Sequence, residues 1–269
     1  MDLAGHLLQL TVWLALLCAV FVPLERLFGI RKQALWRRQI VADLFYFFFN
    51  GLLLGSLLAF PVAVLGLLAH QLVPHAVLNA AAGLPLWGRL LAALVVGDIG
   101  AYWGHRWTHE IPLLWRFHAV HHSAEQIDWL VNTRAHPVDL VFTRLCGLVP
   151  LFVLGLAQPN NPADILPALA AVVGTAWGFF VHANVRFRFG WLEGLLATPA
   201  FHHWHHTNDA MRDRNYAAIL PPIDLLFRSF HLPKSWPQDY GIDAPMPEGV
   251  IGQLLKPLEP EPDQTRNSR

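Results

Sequence analysis

Residues 98–123 read DIGAYWGHRWTHEIPLLWRFHAVHHS, a short stretch holding five of the chain's fifteen histidines. His105 and His109 are four apart; His118, His121 and His122 are three and four apart. On a helix those spacings put side chains on one face. Pro112 should break the helix between the two sets. The break lets His105 and His109 meet His118, His121 and His122 from two directions. A second run, residues 201–206 (FHHWHH), adds His202, His203, His205 and His206 and repeats the spacing of three and four.

Packing alone gives no reason to gather imidazoles near apolar helix ends, since each brings a polar nitrogen that needs a partner. Metal ligation satisfies them together, and imidazole suits zinc, copper, iron and nickel. The competing reading is a histidine-rich surface patch. Against it stand the repeated spacing and the shared membrane side derived below. A catalytic zinc takes three protein ligands and a structural zinc four, so nine clustered histidines exceed one metal's need and fit two. No Glu-x-x-His occurs, which excludes the carboxylate-bridged di-iron bundle. His6, His70, His75 and His231 stand alone and read as ordinary boundary or loop residues.

The chain is 54% hydrophobic and 14% charged, where a soluble domain carries about 25% charged residues. Its mean hydropathy is +0.37. The formal net charge is zero, which offers nothing to nucleic acid. Cys18 and Cys146 lie in separate apolar runs and read as inert thiols. Five stretches, near 8–28, 42–70, 86–104, 138–157 and 163–183, are apolar enough to cross a bilayer core of roughly 30 Å, which takes about 20 helical residues. The second is over-long and contains Pro61, so a tilt, kink or re-entrant portion is expected there. The third contains Asp98, which should face the bundle or a polar cavity.

Lys and Arg orient the spans. Arg26, Arg31, Lys32, Arg37 and Arg38 follow the first; Arg106, Arg116 and Arg134 lie in 105–137; Arg186 and Arg188 follow the fifth. The loops 71–85 and 158–164 have neither residue. The N-terminus is then outside, the C-terminus inside, and all three histidine clusters are cytoplasmic. The N-terminus lacks a basic signal-peptide region, so the first span is expected to be retained. Residues 215–233 suit a cap along the membrane surface.

The motifs Asp98-x3-Tyr102-Trp103-x-His105-Arg106-x2-His109 and Trp115-Arg116-Phe117-His118-x2-His121-His122-Ser123 resemble those of the fatty acid hydroxylase/sterol desaturase superfamily. So do Arg134-Ala135-His136-Pro137, Phe201-His202-x2-His205-His206-x8-Asn215-Tyr216 and Asp224-Leu225-Leu226-Phe227. The resemblance covers roughly 40–233. It implies an all-α integral membrane protein of four to five transmembrane helices, under a cytoplasmic helical cap that carries a histidine-ligated di-metal site, normally iron. It also implies O2-dependent C–H oxidation of a lipid, by hydroxylation or desaturation. The expected catalytic ligands are His105, His109, His118, His121, His122, His202, His205 and His206. His182, at the end of the fifth span, matches a further family ligand. Arg186 stands where some members have another histidine. His136 is a ligand or a donor to one. His203, about 100° from His202 on a helix, is expected in a supporting or surface position.

Metal-bound imidazoles pass their other nitrogen to carboxylates or carbonyls, and Asp98, Glu110, Asp128, Asp139 and Asp209 are candidates. Trp103, Trp107, Trp115, Trp129, Phe201 and Trp204 could line a lipid passage or serve as interface aromatics. Three domains follow: 1–40, a span and basic loop; 41–233, the catalytic domain; 234–269, a polar tail expected to be disordered. No nucleotide fingerprint, iron–sulfur pattern or fused haem motif is present. Electrons must therefore come from a separate donor, such as a ferredoxin, a cytochrome b5-like protein or a reductase. Composition without organelle-retention signals suits a bacterial inner membrane. The other readings are a zinc-dependent membrane hydrolase on the same scaffold and a non-enzymatic metal transporter. A transporter would want ionisable groups along the mid-membrane path.

Overall fold

The computed structural model describes residues 2–157 and 166–260. Among them there is no strand, only an isolated bridge between Thr207 and Tyr240. The longer helices are α1 (Leu3–Phe28), α2 (Ile40–Leu72), α4 (Leu86–Glu110), α6 (Pro137–Val153) and α7 (Leu166–His182). Shorter ones are α3 (His75–Ala82), α5 (Pro112–His122), α8 (Pro199–His205), α9 (Pro222–Leu226) and α10 (Val250–Leu255).

Two helices, α1 and α2, are long and apolar enough to cross a membrane. The pair α3 and α4 makes a third if counted as one broken span; its axes turn by 119° at the break. The break lies there and not in α2, which runs unbroken through Pro61 for 33 residues, about 50 Å at 1.5 Å per residue. The excess length of α2 has a use. Its first turns bury Asp43, Tyr46, Phe47 and Asn50 against the histidine-bearing end, while Leu57, Phe60, Val64, Leu67 and Leu72 further along are exposed. Helices α6 and α7 have 17 residues each and are shorter than the stretches expected from hydropathy. Pro150 and then Gly155 at φ +66° finish α6, and residues 163–165 of the fifth stretch, with 158–162 before them, lie outside the described residues.

Helix α4 packs on α6 through small residues. A Cβ on Gly104 would lie 2.6 Å from Cys146 Cβ, and one on Gly100 would meet the Cys146 carbonyl. Close approach of this kind substitutes for hydrophobic driving force between membrane helices. It brings the end of α4 beside the start of α6.

Around the other side, Phe21, Phe47, Trp129, Leu130 and Phe179 join α1, α2, α7 and the 3-10 turn Trp129–Thr133. A buried ionic network reinforces this seam. Arg37 bonds Asp128 at 2.6 and 2.7 Å and pairs with Asp43; Arg134, fully buried, bonds Asp43 at 2.5 Å. Such pairs add specificity more than stability, and this one fixes the backbone at Arg134.

The polar tail from 234 onward is described as far as Pro260. Arg31 donates to the carbonyls of Pro237 and Gln238, and Asn208 N–H to that of Asp239. Gln253 on α10 is fully buried and donates to Pro247. Polar contacts thus hold this segment to the rest of the chain. Residues 261–269 lie outside the described residues.

Candidate metal centre

Helix α4 ends at Glu110, Ile111 is extended, and Pro112 opens α5 at the position where its missing N–H costs nothing. The turn presents His105 and His109 to His118, His121 and His122. Thr198 caps α8, with Pro199 at its first position, and aims His202, His205 and His206 back at α5. His182 arrives from the last turn of α7.

Nine imidazoles converge in two groups: His105, His109, His118, His122 and His205 in one, His121, His182, His202 and His206 in the other. Within each group one nitrogen per residue lies within 4.8 Å of all the others. The doublets split. His121 and His122 are adjacent, so they point about 100° apart and join different groups; His205 and His206 do the same. His122 and His206 stack across the boundary at 4.4 Å.

The protonation of these rings is set by what lies behind them. Nδ1–H of His105 donates to the Tyr216 carbonyl at 2.8 Å, His121 to Arg134 at 2.9 Å, His182 to Gly178 at 2.7 Å and His205 to Arg214 at 2.8 Å. A carbonyl can only accept, so each of these neutral rings carries its proton on Nδ1 and a bare lone pair on Nε2. His118 and His109 point Nδ1 at the carboxylates of Asp139 (3.1 Å) and Asp213 (3.0 Å), with the same effect. Yet Nε2 faces Nε2 between His105 and His118 at 3.2 Å and between His121 and His182 at 3.3 Å. Buried His109 Nε2 has no partner. Six of the nine rings thus turn Nε2 inward, a gathering that fits a cation at the centre of each group, and neutral imidazole is the form that ligates.

Electrostatics agree. Burial first, then neighbouring imidazoles, hold His122, His202, His205 and His206 well below the ordinary histidine range. Five nitrogens and four nitrogens, with no carboxylate among them, make two sites of the borderline-soft kind that suits zinc, copper, iron or nickel.

Two expectations need correction. His136 joins neither group. Its Nδ1 accepts the Val138 N–H and caps α6, while Nε2 donates to the Leu254 carbonyl. The His-Pro pair is a helix start, in which imidazole replaces the usual capping oxygen. Of the five candidate carboxylates only Asp139 supports an imidazole. Asp98 accepts the amides of Ala218, Ile219 and Leu220, Glu110 pairs with Arg106, Asp128 with Arg37, and Asp209 accepts Met211 N–H. His203, fully buried, bonds the Tyr240 hydroxyl at 2.7 Å and the Ala183 carbonyl, so it is a support and not a surface residue.

Asp213 and the carbonyls of Gly178, Arg214 and Tyr216 carried no sequence signal. The loop that supplies two of them is pinned from several sides. Asp98 holds its later amides, and Asp224 holds those of Tyr216 and Ala217 and the Ser229 hydroxyl. Tyr102 hydroxyl meets Ser229 at 2.8 Å. Asn215 sits at φ 58°, a region Asn tolerates, and clasps Phe201 and His231. Among the aromatic candidates, Trp115 abuts the imidazoles, at 5.1 Å from His109 and 5.5 Å from His122. Phe201 packs on Phe230, Trp103 on Phe227, and Trp129 in the α1–α7 seam.

A family profile described as "Fatty acid hydroxylase" matches residues 90–229. The chain is 35% identical over 177 residues to ornithine lipid hydroxylase OlsE of Rhizobium tropici, covering 65% of this chain and 51% of that protein. It is 35% identical over 164 residues to alkylglycerol monooxygenase of Danio rerio, covering 60% and 34%. It is 29% identical over 182 residues to very-long-chain aldehyde decarbonylase GL1-11 of Oryza sativa subsp. indica, covering 62% of each. The matched segment thus spans between about one third and two thirds of these relatives. No solved structure gives a significant match.

Proposed function

Because the chain belongs to the fatty acid hydroxylase family, we propose that it is a membrane-bound di-iron oxidoreductase that uses O2 to hydroxylate or desaturate a C–H bond of a lipid. The observation that carries this reading is the pair of imidazole groups, of five and four histidines, in each of which one ring nitrogen per residue lies within 4.8 Å of all the others. Membership in the family supports an oxidoreductase, and two relatives named for lipid hydroxylation and monooxygenation support a lipid substrate and favour hydroxylation.

The nine grouped histidines would hold two irons, and the iron would supply reductive activation of O2 and hydrogen abstraction. The chain's own residues do the positioning. Asp139, Asp213 and four backbone carbonyls orient the imidazoles, and the apolar helices deliver a lipid laterally. Trp115 closes one flank of the larger group against water. A separate donor is proposed to supply two electrons per turnover. Four to five spans are proposed, with the histidine end cytoplasmic in a bacterial inner membrane. Arg26, Arg31, Arg106, Arg116 and Arg186 near that end support the orientation. The catalytic unit is proposed as 41–233.

The test compares lipid masses in cells with and without the gene, alongside O2 uptake by the purified protein with a reductant. Addition of one oxygen atom to a lipid, or removal of two hydrogens, is expected with O2 uptake. Hydrolysed lipid without O2 uptake would replace this reading with a zinc hydrolase.

A further inference from the structure

A single residue separates the two carbonyls that stand behind His105 and His205. Nδ1–H of His205 donates to the Arg214 carbonyl at 2.8 Å, and Nδ1–H of His105 to the Tyr216 carbonyl at 2.8 Å. Between those carbonyls stands Asn215, fully buried, at φ 58°. The rings come from different helices, α8 and α4, yet their centroids are 4.3 Å apart and both belong to the larger imidazole group. One left-handed residue therefore joins the two peptides that aim a pair of neighbouring rings.

The Asn215 side chain is spent on the frame around this joint. Nδ2 donates to the carbonyls of Phe201 at 2.9 Å and His231 at 2.6 Å, and Oδ1 accepts the His231 N–H at 2.7 Å. Phe201 lies on α8 one turn before His205, so the clasp ties the loop to the helix that carries that ring. The Asn215 N–H donates to the Ser229 carbonyl at 2.9 Å. Both amide donors and the oxygen thus bond main-chain groups, and the effect on the rings runs through the backbone. Asparagine is one of the few residues that tolerates the left-handed region, which costs most others free energy.

We propose that Asn215 is a positioning residue of the larger imidazole group: its left-handed backbone holds the Arg214 and Tyr216 carbonyls in register behind His205 and His105. An extended or right-handed residue there would turn one peptide against the other and cost one ring its partner. The inference rests on the reading of the imidazole groups as metal sites. Zinc binding needs neither O2 nor lipid, so its failure is separable from a failure to oxidise lipid.

The experiment measures zinc affinity, by competition with a chelator, on the metal-stripped full-length chain in detergent. Asn215→Ala and Asn215→Gly remove the same side-chain hydrogen bonds and differ in whether the backbone accepts a positive φ. Asn215→Ala should weaken one bound metal by roughly 10- to 100-fold, the usual effect of losing a ligand's supporting partner. Asn215→Gly should bind that metal about tenfold more tightly than the alanine variant, since it escapes the left-handed penalty. If the alanine variant does not fold, Asn215→Ser replaces it, because serine also disfavours that region. With His105→Ala and His205→Ala already in place, neither change at 215 should weaken zinc binding further. Unchanged affinity in the alanine variant, equal affinity of the alanine and glycine variants, or an alanine effect undiminished in that background overturns the proposal. An unmodified chain with no zinc affinity overturns the metal-site reading along with it.

Discussion

His105 Nε2 faces His118 Nε2 across 3.2 Å, while the Nδ1 of each is committed to Tyr216 carbonyl or Asp139 carboxylate. The backbone and one acid thus prepare both rings as ligands before any ion arrives, and Asp139 should matter through His118. Asp139→Asn is expected to weaken metal affinity by roughly 10- to 100-fold, the usual effect of losing a ligand's supporting partner. Metal retention during dialysis against a chelator checks it; unchanged retention would place Asp139 outside the site's support.

His182 and His136 should separate cleanly. His182→Ala removes one of four nitrogens in the smaller group, and metal content should fall by about half as that site empties. His136→Ala removes a helix cap, costs about 1 kcal/mol, and should leave metal content intact. Metal analysis of both purified variants decides, and an empty site in the His136 variant would overturn its assignment as a cap.

Asp98 is expected to be a stability residue with a distant effect. It accepts three amides of the 218–220 loop, and hydrogen bonds to a buried charge contribute about 1.5–3 kcal/mol each. Asp98→Ala should cost roughly 4 kcal/mol or more and loosen the Tyr216 carbonyl behind His105. A lowered unfolding midpoint in detergent together with reduced metal affinity is the expected pair of results. Full stability would contradict the role.

Acid should destabilise the metal-free protein. Burial and the nearby His182 push His203 down to about 3, while an unfolded histidine titrates near 6.5. The unfolded chain therefore binds more protons between those values, and stability rises with pH across the window. It is complete above about pH 6.5 and is lost progressively as pH falls toward 3. Unfolding midpoints of chelator-treated protein between pH 7.5 and 4.5 test this; a flat profile would mean the buried imidazoles are not neutral.

Much of the site was legible because spacing of three and four residues survives folding. His105, His109, His118, His121, His122, His202, His205 and His206 all converge, and Pro112 breaks the helix between the first two sets as its chemistry requires. His182 could be placed because it ends an apolar run. What sequence could not show is what stands behind each ring. Backbone carbonyls have no residue signature, and Asp213 reaches His109 from a polar loop with no regular spacing. Asp98 misled because an acid inside an apolar run suits either a ligand support or a loop anchor. His136 misled because Nδ1 can cap a helix as well as bind a metal. In the fold, hydropathy located the apolar runs but not the 119° turn between α3 and α4, nor the part of α2 enclosed with the histidine end. Both depend on contacts far along the chain.

The central claim is that two metals sit between nine histidines, and metal analysis of anaerobically purified protein tests it most directly. Two irons per chain are expected, with X-ray absorption showing imidazole-rich coordination, falling to about one on substitution of His121 by Ala as the smaller group empties. A single metal per chain, zinc in place of iron, or an unchanged content in the His121→Ala variant would contradict the account.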